Sequence, residues 1–170
     1  RHWAFFKYLI KHKWYVFVAG RIVGLNLFQT ITHDWHKFLP DEWFGYTKTF
    51  YHKNGIRRYN EFDTELEYSW NHHQKLGKHH WQYWVLIRNE GELKALKMPR
   101  KYVLEMLADW MGAGRAIKGI WDIDEWYQKY KNTMIINEET KKEIEEILME
   151  SLIKLEKKVP YESLRSGRNN

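Results

Sequence analysis

The 170-residue chain contains no cysteine. That excludes disulfides, thiolate metal sites and cysteine nucleophiles, so any metal it holds must sit on imidazole and carboxylate. A reducing cytosol is the default compartment for such a chain. It also lacks a Gly-rich phosphate loop, zinc-finger spacing and any internal repeat. Long apolar runs are missing too. The most apolar stretch, Trp3 to Gly20, is broken by Lys7, Lys11, His12 and Lys13 well short of the ~20 clean residues a membrane span requires. It does not read as a signal peptide either, and no membrane partner is expected.

What is present is enough length for one domain with a core that needs no staples. The formal charge of +6 is spread along the chain, with dense points at Arg57-Arg58 and in the C-terminal tail. This favours anionic partners mildly, nucleotides as much as nucleic acid. Ten tryptophans and eleven tyrosines fall mostly beside leucines in helical patterns. There they read as buried area rather than as stacking platforms for bases.

The chain is organised around Thr32-His33-Asp34-Trp35-His36-Lys37. Adjacent His and Asp offer an imidazole nitrogen and a carboxylate oxygen to one divalent cation. A helix from residue 3 to about 23 puts Phe5, Leu9, His12, Val16 and Ala19 on one face, so His12 points inward. A second helix, Leu25 to His36 with Pro40 setting its stop, is expected to carry the His-Asp pair in its last turns. Lys37 then shares the face of His33 and Asp34, and His36 faces away.

An aromatic-rich helix over 41–52 and, after the Asn54-Gly55 turn, a long helix from near Arg57 to Leu76 follow, with Tyr59, Phe62, Leu66 and Trp70 on its apolar side. Gly77 reads as a left-handed stop between His72, His73 and His79, His80. Four histidines in nine residues point to metal or substrate binding. Residues 84–87 and 93–96 flank Asn89-Glu90-Gly91-Glu92 as a small β-hairpin. Pro99 opens a helix to about Lys118, on which Asp109 shares a face with Tyr102, Met106, Gly112, Ala113 and Ala116. A buried aspartate in mid-helix calls for a partner. A short helix over 122–130 and a last one, Glu138 to about Lys157 capped by Asn137, complete an all-α fold of six to seven helices.

The order His12, His33-Asp34, His72-His73-Gln74, Ala108-Asp109 resembles the HD superfamily of metal-dependent phosphohydrolases. That resemblance implies an HD-like helical bundle over 1–159, with 160–170 as a loose tail. It implies one metal on His12, His33, Asp34 and Asp109, and a second served by His72 or His73. The His-His-Gln segment looks like that of the HD-GYP phosphodiesterases, without their Gly-Tyr-Pro signature. The whole pattern is also similar to a family of small bacterial and phage proteins with no known substrate, whose compartment would be the cytoplasm of the bacterium or host.

On this reading one or two divalent ions are the cofactor, and a small phosphorylated molecule, first of all a nucleotide, is the substrate. Lys37, His79, His80 and Arg115 contact phosphate or protonate the leaving oxygen. Two alternatives stand beside it. One is a di-iron oxygenase using a similar set of His and Asp; the other is a non-catalytic module for nucleic acid or protein. A homodimer through exposed helix faces is also open.

Overall fold

A computed structural model describes residues 1–58 and 64–158, apart from the side chains of Glu65, Lys157 and Lys158. The expected apolar positions Tyr59 and Phe62 and the tail from 160 lie outside the described residues. Among the described residues, seven α-helices and one two-stranded antiparallel sheet run in the order α1 His2–Val23, α2 Leu27–Thr32, α3 Pro40–Phe50, α4 Thr64–Leu76, β1 Val85–Ile87, β2 Leu93–Ala95, α5 Arg100–Lys118, α6 Ile123–Tyr130 and α7 Glu138–Lys158. The all-α fold with a small hairpin is thus as expected. Val85 pairs with Ala95 and Ile87 with Leu93.

Each long helix is bounded by local chemistry. α1 and α5 end at Gly24 and Gly119, both left-handed, whose N–H groups return to the carbonyls of Gly20 and Arg115. α7 starts where the Asn137 side chain accepts from the Glu139 N–H at 3.0 Å. Thr140, one turn in, accepts from the Met98 N–H at 3.0 Å and ties α7 to the segment before α5.

The main core lies among α1, α5 and α7, where Val16 and Ala19 meet Val103, Met106 and Leu107 and the buried Ile144, Leu148 and Leu155. A smaller cluster joins Phe5 and Leu9 of α1 to Tyr46, Tyr51 and Leu66. His12 falls between the two clusters on the buried face of α1, as its spacing requires.

Three boundaries differ from expectation. α2 ends at Thr32, before the His-Asp pair, and Pro40 opens α3 rather than stopping α2. Proline at the first helical position lacks only an N–H that would be unsatisfied anyway. Arg57 forms an isolated antiparallel bridge with Tyr51 across the Asn54-Gly55 turn instead of starting a helix. Gly77 does not adopt the left-handed conformation.

The α1–α5 crossing brings His12 and Asp109 to one place, and Gly112 makes that approach possible. A Cβ at Gly112 would stand 2.6 Å from Val16 Cγ2 and 2.7 Å from the Val16 backbone nitrogen. Gly112→Ala therefore has to push the helices apart, and a loss of about 1–3 kcal/mol in urea unfolding is expected.

Candidate metal centre

α2 stops where two threonines turn back on it. Thr30 Oγ1 donates to the Asn26 carbonyl and Thr32 Oγ1 to that of Phe28, each at 2.8 Å. His33 leaves the helix with ψ 130°. Asp34 then takes φ 55°, as the one non-glycine residue with positive φ among those described. Aspartate is among the few residues that tolerate this region. A single 3₁₀ turn, Trp35–Phe38, follows. The His-Asp pair thus occupies a reversal of the chain, not the last turns of a helix, and both side chains are buried. His36, expected to face away, is buried as well, with Nδ1 2.9 Å from Glu42 Oε1. The tighter period of the 3₁₀ turn rotates it inward.

The two oxygens of Asp34 face two sets of ligands. His12 Nε2, from α1, is 3.6 Å from Asp34 Oδ2 and 3.2 Å from Asp109 Oδ1, and His33 Nε2 is 3.3 Å from each of those oxygens. His12, His33, Asp34 and Asp109 offer one ligand atom each, all within 4.8 Å of one another. Asp34 Oδ1 lies 3.5 Å from His73 Nε2 and 3.4 Å from His79 Nε2. With His80 these make a second group of four on the same criterion, and Asp34 belongs to both.

The ring nitrogens divide by role. Nε2 of His12, His73, His79 and His80 and Oδ1 of Asp34 are buried with no hydrogen-bond partner. An orphaned buried polar atom costs about 1–3 kcal/mol, and a cation among these atoms would satisfy them together. For His33, His73 and His79 the Nδ1 side is occupied instead, whereas His12 Nδ1 is buried without a partner as well. His33 Nδ1 is 3.2 Å and His79 Nδ1 3.5 Å from Glu105 Oε1, and His73 Nδ1 is 2.8 Å from Glu42 Oε2. In a neutral ring an Nδ1–H donated to a carboxylate leaves Nε2 as a bare lone pair, the state a metal requires. These residues fit one or two divalent ions.

A family of unknown function, DUF5662, matches residues 1–150. The chain belongs to that family. No curated protein and no solved structure matches it. The span matched by DUF5662 includes every member of both ligand groups.

Charge in this DUF5662 centre is balanced across short distances. Burial opposes ionisation of Asp34 and Asp109, yet His33, Lys37 and His73 hold the first carboxyl, and His12 and His33 the second, well below the usual range. Burial acts to lower the His33 pKa, but Asp34, Asp109 and Glu105 raise it well above the ordinary histidine value. Burial and the neighbouring His79 and His73 push His80 well down, which keeps it neutral. Lys37 stays charged because Asp34 and Asp109 outweigh its burial, and its Nζ is 2.5 Å from Asp34 Oδ2.

His79 and His80, expected to contact substrate, sit within the second ligand group. His73 rather than His72 is the ligand candidate: the His72 side chain is nearly half exposed, with Nδ1 3.4 Å from Glu42 Oε1, and belongs to neither group. Arg115 is not at the centre. Its guanidinium donates to the Gly119 carbonyl and lies 5.8 Å from the rings of Tyr15 and Trp121, closing the end of α5.

Sequence reasoning missed Glu105, Glu42 and His36. Glu105 stands four residues before Asp109 on one helix face, a signal that was there to be read. Glu42 looks like any first-turn acid, and nothing in its neighbourhood marks it. Gly77 acts through space, not through its backbone: a Cβ there would meet His80 Cδ2 at 2.7 Å and His79 Cε1 at 3.1 Å.

A cavity of about 530 Å³ opens onto the centre. Buried Asp34 and His79 line it together with exposed Phe28, Trp35 and Lys78.

Glu42 and Glu105 set an acid limit on the metal-free chain. Burial raises both, but hydrogen bonds from His36 and His73 to Glu42, and from His33 and His79 to Glu105, bring each down from 4.5 to about 2. Folded values below unfolded ones mean stabilisation that is complete above about pH 4.5 and lost as pH falls toward 2. Near-ultraviolet circular dichroism of the metal-free chain is expected to lose its tertiary signal in that window, with a shallower transition for Glu105→Gln.

Proposed function

We propose that this chain is an HD-type metal-dependent phosphohydrolase that cleaves a phosphate ester of a small molecule, in the first place a nucleotide, with one or two divalent ions as cofactor. The observation that carries the reading is the set of buried, unpaired Nε2 atoms converging on both oxygens of Asp34. The chain order His12, His33-Asp34, His73, His79, Asp109 agrees with the HD pattern.

His12, His33, Asp34 and Asp109 would hold one ion; Asp34, His73, His79 and His80 would hold the other. A divalent ion at such a site lowers the pKa of a bound water and offsets phosphoryl charge. Glu105 holds His33 and His79, and Glu42 holds His73, with Nδ1–H toward the carboxylate, which fixes their ring planes. Lys37 carries a positive charge beside Asp34, from which it can meet a phosphate oxygen. At the cavity Lys78 offers a second cation, and the exposed rings of Phe28 and Trp35 are placed where a base could stack.

The imidazole-rich ligand set also supports a second reading, a di-iron oxygenase, since four or more histidines around a shared carboxylate suit iron as well as hydrolytic metals.

Elemental analysis of chain purified without chelator or nickel resin tests both. Stoichiometric metal is expected, lost in Asp34→Ala and in Asp109→Ala, and weakened about 10–100-fold in Glu105→Ala. The metal-loaded chain is expected to release phosphate from nucleotides. Oxygen uptake without phosphate release would shift the assignment to the oxygenase. No metal after reconstitution with manganese, iron, cobalt, magnesium or zinc would overturn both.

Metal uptake should also depend on pH with a defined sign. His33 carries a proton in the metal-free chain to well above its ordinary pKa, and only the neutral ring can ligate. Affinity is therefore expected to rise with pH, and calorimetry in buffers of different ionisation enthalpy should detect proton release at neutral pH.

A further inference from the structure

α1 is apolar on the side away from the core as well as on the side facing it. Opposite the buried positions Phe5, Leu9 and Val16, the outer arc carries Trp3, Phe6, Ile10, Trp14 and Phe17 at spacings of three and four residues. Trp3 is 67% and Trp14 61% exposed. Trp3 stacks on Phe6 at 5.5 Å and Trp14 on Phe17 at 5.8 Å, so these rings lie along the helix surface. A helix that is hydrophobic all round is normally covered. None of the described elements covers this one.

Charge on the same stretch has one sign. Before Asp34 the chain holds Arg1, Lys7, Lys11, Lys13 and Arg21 and no aspartate or glutamate. Lys7, Lys11 and Arg21 are exposed. Lys13 donates to the carbonyls of Ile31 and His33, which fastens the end of α2, with its exposed Ile31, beside the arc.

We propose that the outer face of α1 is a docking surface for an anionic phospholipid bilayer. The helix lies in the plane of the interface, with Trp3, Ile10 and Trp14 at the level of the headgroups and upper acyl chains. Lys7 and Arg21 reach the lipid anions on stems that cover apolar surface, while Lys11, whose Nζ donates to the Ala116 carbonyl at 2.9 Å, adds positive charge at the edge of the arc. Tryptophan flanked by lysine is the composition that the bilayer interface favours. No helix among the described residues is long and apolar enough to cross a membrane, and the attachment proposed for α1 is to the bilayer surface. A second copy of the chain fits less well. A two-fold interface presents the same patch from both sides, and here that sets cations against cations with no acid to pair them. The proposal is independent of the metal centre.

Flotation of the full chain with vesicles of phosphatidylcholine, alone or mixed with phosphatidylserine, tests it. The chain is expected to float with the mixed vesicles and to stay at the bottom with phosphatidylcholine alone. Lys7→Gln and Arg21→Gln should each weaken partition about fivefold. The double variant Trp3→Ser, Trp14→Ser should lose flotation while keeping the unfolding midpoint of the parent. Absence of flotation with both vesicle types overturns the proposal. A dimer in sedimentation velocity that Trp14→Ser dissociates, without flotation of the parent, would assign the face to a second copy. Binding that none of the substitutions alters also overturns it.

Discussion

Burying a carboxylate costs several kcal/mol unless its charge is met at close range, and the Asp34 side chain is fully buried. Three elements are spent on meeting it. α1 brings His12, the 3₁₀ turn brings Lys37, and α4 with the segment after it brings His73 and His79. Lys37 alone satisfies only Oδ2; Oδ1 has imidazole nitrogens at 3.4–3.5 Å that do not hydrogen-bond to it. The left-handed backbone at Asp34 is a further cost, because non-glycine residues rarely adopt it. Costs gathered at one residue mark a site shaped by something other than stability.

Periodicity was enough for the elements that carry long faces. α1, α5 and α7 follow their apolar spacing closely, and His12 and Asp109 point inward because helical geometry leaves no alternative. The error came where the chain leaves the helix. An apolar run continues through Trp35 and Phe38, so the pattern reads as helix, while Thr30 and Thr32 back-bonding ends α2 early. That reversal decides the site. It turns His36 inward, aligns Lys37 on Asp34 and separates the two Asp34 oxygens toward different histidines. The cluster at 72–80 pointed to a binding site but not to which of its rings face it. The choice of His73 over His72 depends on how α4 packs against α3, and pairing across elements has no period in sequence.

The outer shell is what makes the two ligand groups one centre. Glu105 Oε1 faces His33, a ligand of the first group, and His79, a ligand of the second. Its other oxygen accepts from Gln29 at 3.2 Å, so the carboxylate is fixed from α2 as well. Glu42 plays the equivalent part for His73 while also holding His36. A carboxylate that orients two imidazoles lets the tautomer of one constrain the tautomer of the other. Both rings can donate Nδ1–H to it only if both turn Nε2 toward Asp34. The shared Asp34 and the shared outer carboxylate of Glu105 therefore constrain both groups in the same direction.

That coupling also explains why α1 has so little freedom on its inner face. His12 must arrive at the height of Asp109, and Gly112 against Val16 sets the distance between the helices. With its inner face committed to ligand and core, any attachment α1 makes must use the opposite arc. A membrane docked on that arc would touch no ligand-bearing side chain, because His12 lies on the opposite, buried face of the helix.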